Sequence, residues 1–195
     1  MTASALETEP TLRSVRLRAH THHLHETLDK GMMRSRPFET RERYGLFLQV
    51  QHPFLQRVES VYQSPVLNAL LPGLAQRARF GLIDQDLADL GLNRESLTDR
   101  RGAFELPEAL GWLYVAEGSN LGAAFLFKMA QKLGLGADFG ARHLAGHPDG
   151  RALSWRTFLS DFNAVALSPC EEDRADAAAA EAFRFVQNRV TVVFG

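Results

Sequence analysis

The sequence predicts a single domain built from α-helices alone. Hydrophobic residues recur at intervals of three and four along most of the chain, and proline or glycine separates the segments that carry this pattern. The chain has 195 residues, 45% of them hydrophobic and 23% charged, which suffices for one core of ordinary composition. A short strand-like run at residues 190–194 has helical neighbours, so no sheet is expected.

The expected elements follow one another after residues 1–10, which should form a loose tail ahead of a domain that spans residues 11–195. We expect Gly31 to close the first helix, and Pro53 to bend the second because proline removes a backbone donor. The third helix should begin near Pro65. The predicted helices cover residues 11–30, 40–63, 65–78, 85–90, 107–133, 152–165 and 169–195, with irregular segments at 92–105 and 134–150.

The charge and cysteine content narrow the function classes. A net charge of −1 gives no reason to expect a nucleic-acid or membrane-surface partner. The single cysteine, Cys170, excludes an intramolecular disulfide and fits a reducing compartment. No signal peptide is visible, and no apolar run approaches the roughly 20 residues of a membrane span. We therefore expect a cytoplasmic protein.

Charge is unevenly distributed along the chain. Residues 13–43 carry eight basic and four acidic side chains, whereas residues 171–181 carry five acidic side chains and one arginine. The two segments are either solvated helix faces, or the basic one meets an anion. That anion would be a carboxylated ligand or an acidic redox partner.

The first predicted helix holds four histidines, at positions 20, 22, 23 and 25. No pair has the i, i+4 spacing of helical zinc ligands, and no ExxH signature of di-iron bundles occurs, so a multi-histidine metal site is not favoured. A heme iron requires only one axial imidazole beside an apolar stripe. His25 lies beside Leu24 and Leu28, and Asp29 one turn later can orient its ring. Spacing alone does not separate His25 from an ordinary helical histidine.

Two glycines, Gly118 and Gly122, lie inside the long helix predicted at residues 107–133. Each costs about 1 kcal/mol relative to alanine in a helix interior, so a compensating interaction is expected. Another helix can pack closely against them, or a flat ligand can lie on the bare backbone of a kinked helix. The residues themselves leave both interpretations open.

Four segments together resemble the small bacterial heme oxygenases. Residues 111–128 (GWLYVAEGSNLGAAFLFK) are similar to the distal helix of these enzymes, and residues 140–150 (GARHLAGHPDG) to the loop that follows it. Residues 35–38 (SRPF) and 73–79 (GLAQRAR) match in kind and order. The resemblance extends from about Leu12 to Phe185. It implies an all-α heme oxygenase fold, with heme between a proximal helix and a kinked distal helix.

The resemblance implies roles for the histidine and the glycines. His25 falls on the position of the axial ligand of heme b, and the other histidines of its helix do not. Gly118, Ser119 and Gly122 fall on the part of the distal helix that contacts heme and bound oxygen.

Further positions carry polar or apolar roles by the same resemblance. Gln51, Arg79 and Asp29 fall on a distal polar network that delivers protons during oxygen activation. Arg18 and Tyr114 fall on positions that hold the heme propionates, which suits a guanidinium donor.

Three phenylalanines are candidates for the apolar wall of the heme pocket, although ordinary core packing explains them equally well: Phe125, Phe127 and Phe183.

Two departures from the family pattern matter. Leu55 stands where some relatives have a distal histidine, with His52 nearby. Met33 and Met129 stand where another type of relative uses lysines to seat heme in a rotated position. Without those lysines, we expect attack at the α-meso carbon and biliverdin IXα as product.

The implied reaction is the cleavage of heme, which is both substrate and cofactor, to biliverdin, carbon monoxide and ferrous iron with O2 and external electrons. No GxGxxG motif follows a strand, so the electrons should come from a ferredoxin or a flavin reductase. One alternative is a non-catalytic heme-binding or heme-storage protein on this fold. The other is a helical hydrolase of the thiaminase-like kind, for which Cys170, in a polar stretch, is a poor nucleophile.

Overall fold

The computed structural model describes residues 11–94 and 104–195 and confirms the all-α prediction. The tail predicted at residues 1–10 and most of the irregular segment 92–105 lie outside the described residues. Within those residues no β-strand forms, and isolated bridges join Gly136 to Phe139 and Gly140. The helices are α1 (Arg13–Arg34), α2 (Arg41–Tyr62), α3 (Pro65–Leu70), α4 (Phe80–Asp89), α5 (Leu106–Lys132), α6 (Arg151–Ala164) and α7 (Pro169–Phe194), with short 3-10 turns at Ala75–Arg77 and Arg142–Leu144.

Three predicted helix boundaries are wrong, and one of them is the start of α4, which begins at Phe80 and not near Gln85. Gly31 does not close α1, which continues to Arg34. It stops there because Arg36 takes a positive φ of 45° ahead of Pro37, and a residue before proline avoids the helical region. The third helix does not reach residue 78, because Pro72 and Gly73, which has a φ of 79°, interrupt it after Leu70.

Helix α7 is the element on which the others assemble, since α1, α2 and α5 all pack against it. Its inner face is built from alanines, with Ala175, Ala178 and Ala179 buried against α5. Opposite them lies Gly111 of α5. A Cβ on Gly111 would lie 2.8 Å from Ala178 Cβ and Ala179 N, and closer still to Ala175 O. The two backbones can approach this closely only because Gly111 has no side chain.

The two charged segments of the sequence pair with each other. The buried Arg13 at the start of α1 donates to Glu172 Oε1 at 2.8 Å and to the carbonyls of Phe162 and Val165. Arg16 joins Glu172 at 2.7 Å and Asp176 at 3.1 Å. The predicted alternatives, solvated faces or an external anion, are therefore wrong for these two arginines. They fix the first turn of α1 on α7.

None of the described helices combines the length and apolar character that crossing a membrane would require.

Replacing Gly111 by alanine should destabilise the fold, because the new Cβ overlaps the backbone of α7. We expect Gly111→Ala to lower the free energy of unfolding by about 1–3 kcal/mol, as overpacking usually does. Gly31→Ala is the matched control: a Cβ there meets nothing within 4 Å, so its free energy of unfolding should rise by about 0.5–1 kcal/mol. Urea unfolding of both variants measures the difference, and an unchanged stability in Gly111→Ala would contradict the packing described.

Candidate active site

Helices α1 and α5 both pack on α7 and share few contacts with one another, and we call the surface between them the α1–α5 cleft. At one end of this cleft, Arg18 of α1 and Tyr114 of α5 are close enough to interact electrostatically. Burial raises the pKa of Tyr114, and the positive charge of Arg18 partly opposes that rise. The Tyr114 ring lies against Trp155 and Phe162, with centroids 5.8 and 6.0 Å apart. The structure therefore brings the two predicted propionate-binding residues together.

His25 packs against an aromatic side chain of α7, whereas His20 lies near the carboxylate of Asp176 on the same helix. The His25 ring meets Phe183 edge-on, with centroids 5.6 Å apart, while 58% of the His25 side chain stays exposed. By contrast, His22 pairs with Glu26 at 3.3 Å on the solvent side. Within the described residues no group of three or more His, Cys, Asp or Glu could hold a metal ion. On the α1 side of the cleft, the structure therefore offers a ligand one imidazole, that of His25, which packs against the ring of Phe183.

Asp29 lies beside His25 rather than in the distal network predicted for it. Its Oδ2 is 3.6 Å from His25 Nε2, and neither side chain is buried. No polar contact joins it to Arg79 among the described residues. At 3.6 Å the contact is longer than a hydrogen bond, so the imidazole can exchange it for another partner.

Gln187 also supports this part of α1, and the sequence analysis missed it. Its Nε2 donates to Leu24 O at 2.9 Å, one residue before His25. Because Gln187 follows Phe183 by one turn on α7, the two side chains hold α1 at the level of the histidine. In the sequence, the one feature that could have indicated Gln187 is its spacing of four residues from Phe183.

The glycines of α5 divide into two kinds. Gly111, Gly118 and Gly122 share one face of the helix, being seven and four residues apart. The Cβ position of Gly111 is filled by α7. A Cβ on Gly118 would meet only Trp155, at an ordinary 3.8 Å, and one on Gly122 would meet nothing within 4 Å. Helix packing therefore explains Gly111 but neither of the others, which leave bare backbone along the cleft wall.

Apolar side chains beyond these glycines are left uncovered. Phe125 is 59% exposed and Leu121 is 38% exposed. Phe125 is therefore not a core residue, whereas Phe127 is half-buried against the core and Phe183 is 7% exposed. Exposed apolar groups of this size beside a cleft indicate a ligand or partner surface.

Arg79 belongs to a polar network on the inner side of α5. It donates through Nη1 to His143 O at 2.8 Å and to Ala145 O at 2.9 Å. The buried Glu117 accepts from Tyr62 Oη and from Arg77 Nη1, both at 2.8 Å. Burial raises the pKa of Glu117, an effect that Arg77, Tyr62 and Arg79 oppose.

No hydrogen bond joins the other predicted polar residues to Arg79 in the described part of the chain. Gln51 is half-buried on α2. Ser119 is exposed, and its hydroxyl donates to Ala116 O within its own helix at 2.7 Å. His52 lies one turn from the buried Leu55 but is engaged, since its Nε2 is 2.8 Å from Asp84 Oδ1. His52 therefore does not replace the missing distal histidine.

A buried Asp86–His143 pair anchors the loop after α5. Asp86 Oδ2 lies 2.7 Å from His143 Nδ1 and accepts from the His143 backbone N–H at 3.0 Å. Burial lowers the pKa of His143, whereas the hydrogen bonds that Asp86 accepts outweigh its own burial and lower its pKa. The Asp86–His143 pair thus anchors the loop whose carbonyls accept hydrogen bonds from Arg79.

These features define an all-helical protein with one supported histidine and a bare helix backbone along an open cleft, as expected of an enzyme that binds heme between two helices. Residues 12–191 match the family model described as heme oxygenase. The chain is 42% identical to heme oxygenase PigA of Pseudomonas aeruginosa over 178 residues, 90% of each chain. It superposes on the NO- and CO-bound heme oxygenase from Neisseria meningitidis with a TM-score of 0.91 and 42% identity, covering 95% of this chain and 94% of that one.

The chain therefore belongs to the heme oxygenase family. It is an oxidoreductase that cleaves heme to biliverdin, with heme as both substrate and cofactor and a histidine as axial ligand. The predicted family and activity are confirmed, and the heme-storage and hydrolase alternatives are discarded. Cys170, the nucleophile that a hydrolase would need, is an exposed free thiol.

Gly122→Ala separates a ligand-binding role from a packing role. In the heme-free protein the new methyl group meets nothing, so the helix should gain up to about 1 kcal/mol of stability. If heme lies on this backbone, the methyl group overpacks the complex, and heme affinity should fall by about tenfold or more. Thermal unfolding and heme titration measure the two effects. Unchanged heme affinity would show that Gly122 does not touch the ligand.

Proposed function

We propose that the cleft between α1 and α5 binds heme and that His25 is its axial ligand. The observation that carries this assignment is the contact of His25 with Phe183 at the base of a cleft whose α5 wall is bare at Gly118 and Gly122. Bound heme supplies the iron that activates O2. Phe183 restrains the imidazole, and Asp29 can accept a ring N–H and so select the tautomer. The exposed Phe125 would become part of the pocket wall once a ligand covers it.

The two ends of the cleft orient the substrate in this proposal. Arg18 has no carboxylate partner among the described residues and lies beside Tyr114, so the two can donate to propionate oxygens. Gly118, Ser119 and Gly122 leave room for O2 next to the distal backbone. No side chain at Gly118 or Gly122 fills that space.

Proton delivery falls to the polar groups behind α5. We propose that Arg79 and Gln51 order water there. Tyr62 Oη donates its hydrogen bond to Glu117 Oε1, which fixes the direction of the hydroxyl proton. Arg79 is well placed because its remaining N–H groups are not taken up by a carboxylate, whereas Arg77 pairs with Glu117.

Electrons would come from a ferredoxin or a flavin reductase. Exposed cations without a carboxylate partner in the described residues, Arg34, Lys128 and Lys132, favour an acidic donor. We further propose residues 11–195 as one heme-binding unit and the cytoplasm as its compartment, in keeping with the unpaired Cys170.

Removing the imidazole of His25 tests the central assignment. His25→Ala should bind heme weakly, form no biliverdin with an electron source, and regain part of its activity with added imidazole, because the side chain is exposed and its loss should leave the fold intact. His23→Ala, on the same helix and exposed, is the control and should turn over normally. Biliverdin absorbance measures the result. Full turnover by His25→Ala would exclude it as the ligand.

The site of ring opening tests the proposed propionate contacts. Met33 and Met129 offer no charge for a rotated heme, so Arg18 with Tyr114 should direct opening to the α-meso carbon. Chromatography of the product should give biliverdin IXα, and Arg18→Gln should yield a mixture of isomers. Arg34→Gln, an exposed arginine of the same helix, serves as the control. A β or δ isomer from the unmodified protein would refute this seating.

A further inference from the structure

A second opening lies behind α5, separate from the cleft that holds His25. It is an open cavity of about 190 Å³ where α5, α6, the Ala75–Arg77 turn and the loop at residues 145–148 meet. Neither His25 nor the cleft glycines line it. Four guanidinium groups do: Arg77, Arg79, Arg142 and Arg151.

Two of these four guanidinium groups are neutralised. Arg77 lies 2.8 Å from the carboxylate of Glu117. Arg142 pairs with Asp89 and lies 3.4 Å from Asp86.

Arg79 and Arg151 have no carboxylate within ion-pairing distance among the described residues. Both bind main-chain carbonyls instead: Arg79 those of His143 and Ala145, and Arg151 those of Asn120, at 2.6 Å, and Leu144. Carbonyl dipoles satisfy N–H donors but leave a net charge in place. In addition, Arg79 Nε is buried without any hydrogen-bond partner.

The two unpaired charges also oppose each other. Burial lowers the pKa of Arg151, and the neighbouring Arg79 lowers it further. Two like charges facing a partly enclosed cavity are stabilised by an anion, which restores charge balance and accepts the free donors.

We propose that this cavity binds a small oxyanion of the phosphate class, held by Arg79 and Arg151. Glu117 acts on Arg79 only from beyond ion-pairing distance. A tetrahedral oxyanion matches the forked donors of the two guanidinium groups that lack an ion-pair partner in the described residues. Gln76 and His147 at the mouth add polar groups that can contact such an ion. Because Arg151 also binds Asn120 O, the residue after Ser119, the anion would lie directly behind the proposed oxygen-binding segment. The site shares Arg79 with the proton-delivery group proposed above, but it uses neither His25 nor the glycines of α5.

Phosphate titration of the full-length, heme-free protein tests the proposal. With ionic strength held constant by sodium chloride, Tm should rise with phosphate concentration, as expected for a ligand that binds the folded state. Isothermal titration should give the same dissociation constant. No phosphate-dependent rise beyond that of chloride would overturn the proposal.

Two variants and a control locate the ion. Arg151→Gln should weaken phosphate binding about tenfold or more, since hydrogen bonds to charged groups are among the stronger ones. Gln76→Glu places a negative charge at the exposed mouth without removing a described hydrogen bond, and should weaken binding even if Arg151→Gln folds poorly. Arg156→Gln makes the same change of net charge on an exposed position of α6 and should bind phosphate normally. Equal losses in Arg151→Gln and Arg156→Gln, or unchanged binding in Gln76→Glu, would refute the site.

Discussion

The close approach of α5 and α7 at Gly111 is the constraint on which the rest of the molecule depends. Backbone meets backbone there, and this contact sets how closely the two helices approach each other. About two and three turns further along the same face, Gly118 and Gly122 have passed beyond the reach of α7. The α5 surface at Gly118 and Gly122 is therefore bare because α7 approaches this face closely at Gly111 and not at the other two glycines. A fold that packed α7 along the whole glycine face would have no site.

The opposite wall is set by how α1 is held. Its first turn is fixed by the buried Arg13 and by Arg16, whose partner Glu172 lies on the same α7 that carries Phe183 and Gln187. Helix α1, which carries His25, and helix α5, which carries the glycines, are thus both positioned by α7. Their separation follows from the side chains on α7, and no direct contact between α1 and α5 is needed to maintain it.

What the sequence could predict follows from the range of the interactions. Helix type and most helix ends depend on neighbours within a few residues, so the predictions for α2, α5, α6 and α7 hold. The end of α1 was misplaced because a helical glycine with no close neighbour looks the same in sequence as one that ends a helix. The same ambiguity hid the difference between Gly111 and Gly122. The partners of Arg13, Arg79 and Gln187 lie between 64 and 163 residues away, beyond any periodic pattern.

The proposed site is a part of the apolar interior that no helix of the described residues covers on one side. Phe125 is exposed, His25 rests on a single aromatic ring, and Arg18 has no carboxylate partner among the described residues. Each of these is costly or neutral on an ordinary surface, and each would become favourable under the proposed binding of one flat, apolar, doubly carboxylated molecule. Binding such a ligand to the folded state alone also stabilises the fold by mass action. In this proposal the substrate completes the architecture of the α1–α5 cleft.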